Sequence, residues 1–399
     1  MSLNNNQPIQ FKERIHEIDG IRGFALLGIL MMNIMAFAGP DMEDSLSSER
    51  SEIYTGFWNE LSMFFINVFF TTNFFTMFSF LFGLGFYIFL SRAEAKGRKL
   101  IPLFYRRMFV LLIFGLLHGI FLWYGDILWT YAIAGALLFF FYKVNAKVNL
   151  IIAILLLSVI SIFILLGSLL IFVSGQEMNG YIFELGMTDA ILNGTYSDIV
   201  EMNITLLGIS FSGIIFVVPI VLAMFLIGLY FGQRKIFNNI DDNLSLFKKL
   251  AAFGLGLGLP IKILTGYWTT YAGGDVLYST LGQLSSSLGG PLMALGYISL
   301  LVLLMKKYKA IVKILQPVGQ MALTNYIGQT VIMLLVFYVA NLFNSIDAIY
   351  FVPIVLLVFT LQIGLSKLWM SKFAFGPLEW IWRCLTYLRF MSIKKKESS

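Results

Sequence analysis

The sequence predicts an all-α, polytopic membrane protein, and three observations lead there. The 399-residue chain is 58% hydrophobic and 13% charged, whereas soluble globular chains carry about 45–50% apolar and about 25% charged residues. Apolar runs near the ~20 residues that cross a ~30 Å hydrocarbon core recur along its whole length. Lysine and arginine gather in alternate connections, as cytoplasmic flanks require.

The best partition has ten spans, near 21–38, 62–90, 108–124, 127–142, 149–173, 203–230, 250–267, 281–304, 318–340 and 350–368. The first lies too late and runs too long for a cleaved signal peptide, and its small-residue exit at Ala36 to Gly39 reads as a helix end. The second and sixth exceed one crossing, an excess that tilting, breaking or an interfacial start each absorbs. Asp126 sits at the turn joining the third and fourth. Gly254, Gly256 and Gly258 lie inside the seventh; without a preceding strand they read as helix packing and not as a nucleotide fingerprint. Gly83 and Gly85 in the second read the same way.

Charge tests this partition independently. Of the 28 Lys and Arg residues, 26 fall in segments assigned to the inner side, leaving only Arg50 and Lys262. Acidic residues such as Asp41, Glu43, Asp126, Glu177 and Glu184 fall outside. Both termini are therefore expected in the cytoplasm, with the chain in the cytoplasmic (inner) membrane as one integral domain over 1–399. The net charge of +6 reads as inner-face charge against anionic lipid, so the bilayer is a partner and nucleic acid is not. The polar ends 1–13 and 392–399 are expected to be loose tails. The acidic outer loops 39–60 and 174–202 are expected to be solvated loops, with a lid or recognition surface as the other reading. A basic loop, Arg234 to Lys249, divides six spans from four, and no internal repeat is visible. One cysteine, Cys384, and two histidines, His16 and His118, leave no basis for a disulfide or a cysteine or histidine metal site, so no metal is expected.

Polar groups inside the membrane are the default functional candidates, because each must offset its desolvation. Asp19, Arg22 and Asn33 share a stripe on the first helix. Eleven residues put Asn33 about 16 Å deeper than Arg22. On the third helix Arg106 and Arg107 mark the inner end, and His118 lies the same ~16 Å beyond Arg107, so an amide and an imidazole are expected at similar depth. Asp126 is placed to orient His118, whose imidazole suits proton transfer near neutral pH; the other reading is a structural histidine bonded to a neighbouring carbonyl. Asn325 opens span nine. Glu379 and Arg383 are spaced for an i,i+4 ion pair on a helix that Trp380 and Trp382 anchor at the headgroups. Lys262 either meets an anionic acceptor or snorkels to the outer headgroups.

Five separated segments carry a resemblance over nearly the full chain: Arg14-x4-Asp19-Gly-Ile-Arg22-Gly through Asn33, Leu-Phe-Gly83-Leu-Gly85, Gly-Leu-Leu-His118 to Gly-Asp126-Ile-Leu, Met-Ala-Leu-Thr-Asn325-Tyr, and Gly-Pro-Leu-Glu379-Trp-Ile-Trp-Arg383. The chain resembles the YeiB-like bacterial membrane proteins, domain of unknown function 418. That family is itself distantly similar to membrane acyltransferases, the acyltransferase-3 and heparan-glucosaminide N-acetyltransferase groups. The resemblance implies transfer of an acyl group, acetyl foremost, from cytoplasmic acyl-CoA to a sugar or envelope acceptor at the outer face. Asn33 stands where the acyltransferase-3 pattern carries a histidine, whereas the N-acetyltransferase pattern has Asn there and a separate histidine.

On this reading Arg22, Arg106 and Arg107 hold the CoA phosphates. His118 removes the acceptor proton or carries the acyl group, and Asn33 donates to the thioester oxyanion. Two further readings stand beside the enzyme: a small-solute transporter or channel, and a non-catalytic protein that keeps the fold, any of them able to form a homo-oligomer.

Overall fold

The computed structural model describes residues 15–40, 52–174, 186–271 and 276–395. The expectations for tail 1–13 and for 41–51, 175–185, 272–275 and 396–399 lie outside the described residues. Fifteen α-helices account for most of the rest: α1 His16–Ala38, α2 Phe57–Phe69, α3 Asn73–Ala95, α4 Leu100–Phe121, α5 Leu128–Leu138, α6 Ala146–Ser174, α7 Met187–Leu192, α8 Tyr196–Ser212, α9 Ile214–Gln233, α10 Leu244–Tyr271, α11 Val276–Lys307, α12 Lys309–Gln320, α13 Ala322–Leu334, α14 Phe351–Lys372 and α15 Pro377–Tyr387. The only strand-like pairing among the described residues is an isolated bridge, Phe373 to Lys394.

Nine helical stretches among the described residues are long and apolar enough to cross a membrane, and Leu128–Phe141 is a shorter apolar helix at the place of the fourth span. The chain is thus an all-α polytopic protein with the expected order of elements. Both overlong spans break. Span two divides into α2 and α3 at 70–72, where Thr72 takes a left-handed φ of 69°. Span six divides at Gly213 between α8 and α9.

Two segments assigned to loops are helical. The described part of outer loop 174–202 forms α7 and the start of α8. Tyr196 Oη donates to the Phe121 carbonyl at 2.8 Å, and Asn203 accepts from the Tyr124 N–H at 3.2 Å, so α8 fastens the α4–α5 turn while 192–198 stay exposed. The inner connection around 306–313 runs into α12, which puts Lys309, Lys313 and Gln316 on one side and Val312 and Val318 into the core. The C-terminal tail is held up to Lys395: Ala374 N–H donates to the Ile393 carbonyl at 2.9 Å.

Burial sorts the helices by role. The most apolar window of α1 is 67% buried and that of α6 is 17%. Thus α1 is the central post, and α6 faces outward with Ile154, Leu155, Phe163 and Leu170 exposed, as a lipid-facing helix requires. Small residues set the closest crossings, because lipid offers no hydrophobic drive between helices and packing must supply it. A Cβ at Gly83 would strike the Phe225 carbonyl, and one at Gly228 the Phe80 carbonyl, locking α3 to α9. Gly254 does the same between α10 and α11 against Leu292 and Gly296, while Gly256 has open space. Gly23 and Gly319 bring α12 against the first turns of α1.

Candidate functional site

The centre of the site is built by a turn and two helices. His118 lies three residues before the end of α4, and the chain reverses through 122–127 to return Asp126 to it. Nδ1 of His118 is 2.7 Å from Asp126 Oδ2, and Nε2 is 2.9 Å from Thr330 Oγ1 on α13. The other Asp126 oxygen accepts the Leu128 and Trp129 N–H groups at 2.8 and 3.2 Å, capping α5. An ionised carboxylate only accepts, so Nδ1 carries the hydrogen and Nε2 presents its lone pair to the Thr330 hydroxyl. Both partners are sealed: the side chains of His118 and Asp126 are 1% and 0% exposed. Gly115 makes the turn possible, since a Cβ there would collide with Trp129 N and lie 2.8 Å from Asp126 Oδ1.

A cavity of about 280 Å³ lies beside this chain. Along α1 its lining runs from Ile15 to Ile29, about 21 Å at 1.5 Å per residue. Arg22, Arg92, Arg107 and Arg383 line one end together with Asp19 and Glu379; Ile29, Ile127, Leu128, Tyr131 and Tyr326 line the other. Between them the walls are apolar, with Phe78, Phe82, Phe86 and Phe104. None of His118, Asp126 and Thr330 lines the cavity. The Tyr326 ring, 5.3 Å centroid to centroid from His118, lies between.

The other expected residues find definite places. Asp19 accepts from Arg22 at 3.0 Å and from Gln320 at 3.4 Å, so the pair that opens α1 belongs to the cavity mouth. Arg107 is stacked 3.7 Å from the Trp382 ring centroid, while Arg106 lies outside the lining. Because α4 begins at Leu100, Arg107 is already about 10 Å inside it, and His118 stands near its far end instead of at mid-helix. Asn33 is half-buried, lies outside the lining, and makes none of the bonds around His118. Gln329, next to Thr330, donates to the Leu26 carbonyl at 3.2 Å and so ties α13 to α1.

Asn325 is a fastening, bonding the Val318 carbonyl at 3.0 Å and Ser366 at 2.9 Å. Glu379 binds the start of α13: Oε1 accepts from the Leu323 and Thr324 N–H groups at 2.6 and 3.1 Å, and Oε2 from the Thr324 hydroxyl at 2.6 Å. This replaces the expected pairing with Arg383, since orphan helix donors attract the carboxylate more directly. Burial raises the Glu379 carboxyl above its usual range, with the Thr324 bonds pulling the other way. Trp382 donates to the Arg107 carbonyl at 3.0 Å and lines the cavity. Lys262 meets neither acceptor nor headgroups. It is 0% exposed and donates to Ser286 at 3.2 Å between α10 and α11, because Gly289 leaves its stem a groove inside the pair.

Thr330, Tyr326 and Arg92 were not singled out from sequence. Only the i,i+4 spacing of Tyr326 and Thr330 from the Asn325 turn signalled that α13 presents a polar face. No group of three or more His, Cys, Asp or Glu able to hold a metal occurs among the described residues.

Fold and site together define a polytopic helical membrane protein enclosing an arginine-mouthed cavity beside a buried Asp-His-Thr chain. Residues 231–389 match the family described as "Protein of unknown function (DUF418)". The chain is similar to YxaH of Bacillus subtilis (strain 168), 30% identical over 99% of both chains. It is also similar to a 39.9 kDa protein in the amylase 3' region of Bacillus acidopullulyticus, 30% identical over 98% of this chain and 99% of that one. YeiB of Escherichia coli (strain K12) is 28% identical over 94% and 96%. The chain belongs to the YeiB-like DUF418 family. No solved structure matches it.

Proposed function

We propose that this protein is a membrane-bound acyltransferase that takes an acyl group from acyl-CoA at the cytoplasmic face and passes it to a hydroxyl of a sugar or envelope acceptor at the outer face. The observation that carries this reading is the hydroxyl of Thr330 on His118 Nε2, with Asp126 on Nδ1. Carboxylate, imidazole and hydroxyl in that order make a nucleophile with its base and the base's orienting group.

The arginine mouth suits the donor. Arg22, Arg92, Arg107 and Arg383 outnumber Asp19 and Glu379 there, and guanidinium groups bind phosphate oxygens by charge-assisted bonds. The apolar walls then accept the thioester arm. In the first half-reaction Thr330 Oγ1 attacks the thioester carbonyl carbon and its proton passes to His118 Nε2. The carbon–sulfur bond breaks, and the departing thiolate recovers that proton as free thiol. In the second, the acceptor hydroxyl gives its proton to His118 as its oxygen takes the acyl carbon from Thr330, whose oxygen regains a proton. Burial keeps water from competing for the acyl group. The segregation of Lys and Arg supports an inner-membrane setting with both termini in the cytoplasm.

The test is to incubate purified protein with radiolabelled acyl-CoA and map the label. Label on the peptide holding Thr330, absent in Thr330→Val and His118→Ala, is the expected result. Labelled product from a Thr330→Val variant at native rate removes Thr330 as carrier. Neither binding nor turnover of acyl-CoA in the native protein removes the enzyme, and solute flux that follows an ion gradient favours a transporter in its place.

A further inference from the structure

The cavity and the Asp126–His118–Thr330 chain are neighbours that do not touch. Three of the residues at the deep end are tied in place. Ile127 and Leu128 enter the first turn of α5, whose Leu128 and Trp129 N–H groups are held by Asp126. Tyr131 gives its hydroxyl to the Phe75 carbonyl at 2.8 Å and shares a 2.8 Å bond with Ser79. Tyr326 is different. Its ring is packed against His118, it lines the cavity, and its buried hydroxyl has no hydrogen-bond partner. It lies within reach of Asp126 and the Ile127 backbone, in a geometry that falls short of a full hydrogen bond to either.

The helix carrying it is firmly held. Glu379 caps the start of α13, Asn325 binds Ser366, and Gln329 binds both Leu26 and Gln362. Movement at this point is therefore rotation of one side chain and not displacement of α13. Thr330 is one turn along the same face, so turning the phenol aside opens the cavity directly onto the hydroxyl and the imidazole.

We infer that Tyr326 is the door between the donor cavity and the catalytic chain, closed in the empty protein and displaced by the arm of a donor long enough to span the cavity. This rests on reading His118 and Thr330 as the working groups. It adds a selection step: an anionic donor whose tail fails to reach about 20 Å from the arginine end leaves the door shut and the hydroxyl dry.

The chain's two histidines make the test clean, since His16 is exposed and His118 is buried. Detergent-solubilised protein without donor is treated with diethylpyrocarbonate, and the modified sites are mapped by mass spectrometry. In the native chain His16 is expected to react and His118 to stay protected. In Tyr326→Ala the rate at His118 relative to His16 is expected to rise at least tenfold, while Tyr326→Phe, which keeps the ring, stays protected. Lys262 is the folding control: fully buried, it remains unreactive to an amine reagent unless the bundle has opened, and Tyr326→Leu replaces any Tyr326→Ala sample in which it reacts. His118 reacting as fast as His16 in the native protein, or staying protected when Tyr326 is cut back in a folded variant, overturns the door. With no donor present, the result is independent of the acyl-transfer assay, so a failure of the door and a failure of acyl transfer are told apart.

Discussion

At the scale of single residues, His118 is defined by what stands on its two nitrogens. Asp126→Asn keeps an oxygen for the α5 N–H groups but offers an amide donor to Nδ1, turning the imidazole to the wrong tautomer. Acyl transfer is expected to fall by about three to four orders of magnitude, as for the comparable change in a serine protease triad, with little change in unfolding temperature. Gly115→Ala tests the turn itself. Its methyl would meet Trp129 N and Asp126, costing about 1–3 kcal/mol by overpacking, read as a lower thermal midpoint in detergent. Lys262 shows how a buried cation differs from a site. It donates to Ser286 and pairs with no carboxylate among the described residues, and a lone ammonium in hydrocarbon is a cost, so Lys262→Met is expected to leave the midpoint unchanged or raise it. A marked fall in that variant would assign the amine a role of its own.

Helices and their ends carry the next layer. Glu379 holds α13 by its first-turn donors, and α13 carries both Tyr326 and Thr330, so α15 positions the site without touching the chemistry. At the N-terminus of α8, Thr195 and Asp198 form a capping box: the Thr195 N–H and hydroxyl reach the carboxylate at 2.6 and 2.8 Å. Those bonds hold the Asp198 carboxyl below its ordinary range. A depressed value means the stabilisation is complete above the ordinary aspartate range and is lost as pH falls through the folded-state value. Asp198→Asn is thus expected to melt earlier at neutral pH, with the gap to native closing in acid. A gap independent of pH would mean the charge contributes nothing there.

For the whole molecule, the arginine mouth and the topology are the properties to measure. Arg107 is both a wall of the cavity and the partner of Trp382. Loss of one charge-assisted bond, about 1.5–3 kcal/mol, corresponds to roughly a 10–100-fold rise in Kd for acyl-CoA in Arg107→Ala. Isothermal titration against the native protein reads it directly. For topology, Cys384 is the only cysteine, so a Cys384→Ser background accepts single reporters. A cysteine at Gly97, between α3 and α4, is expected to label only from the cytoplasmic side, and one at Asn193, between α7 and α8, only from outside. The same side for both would refute an odd number of crossings between them.

Ten apolar segments, their order and the helical class were readable from the chain, because crossing a bilayer demands a run of apolar residues long enough to satisfy its own backbone. Asp126 and His118 were readable as partners because only seven residues separate them across one turn. The breaks in spans two and six and helix α12 were not, since they depend on which neighbour each turn packs against. Thr330 is 212 positions from His118, and nothing in composition or spacing joins them. That junction, the door made by Tyr326 and the four arginines at one mouth exist only once α1, α3, α4, α13 and α15 are packed together. Local rules determine where a membrane helix runs; contact between distant helices determines what its polar residues can do.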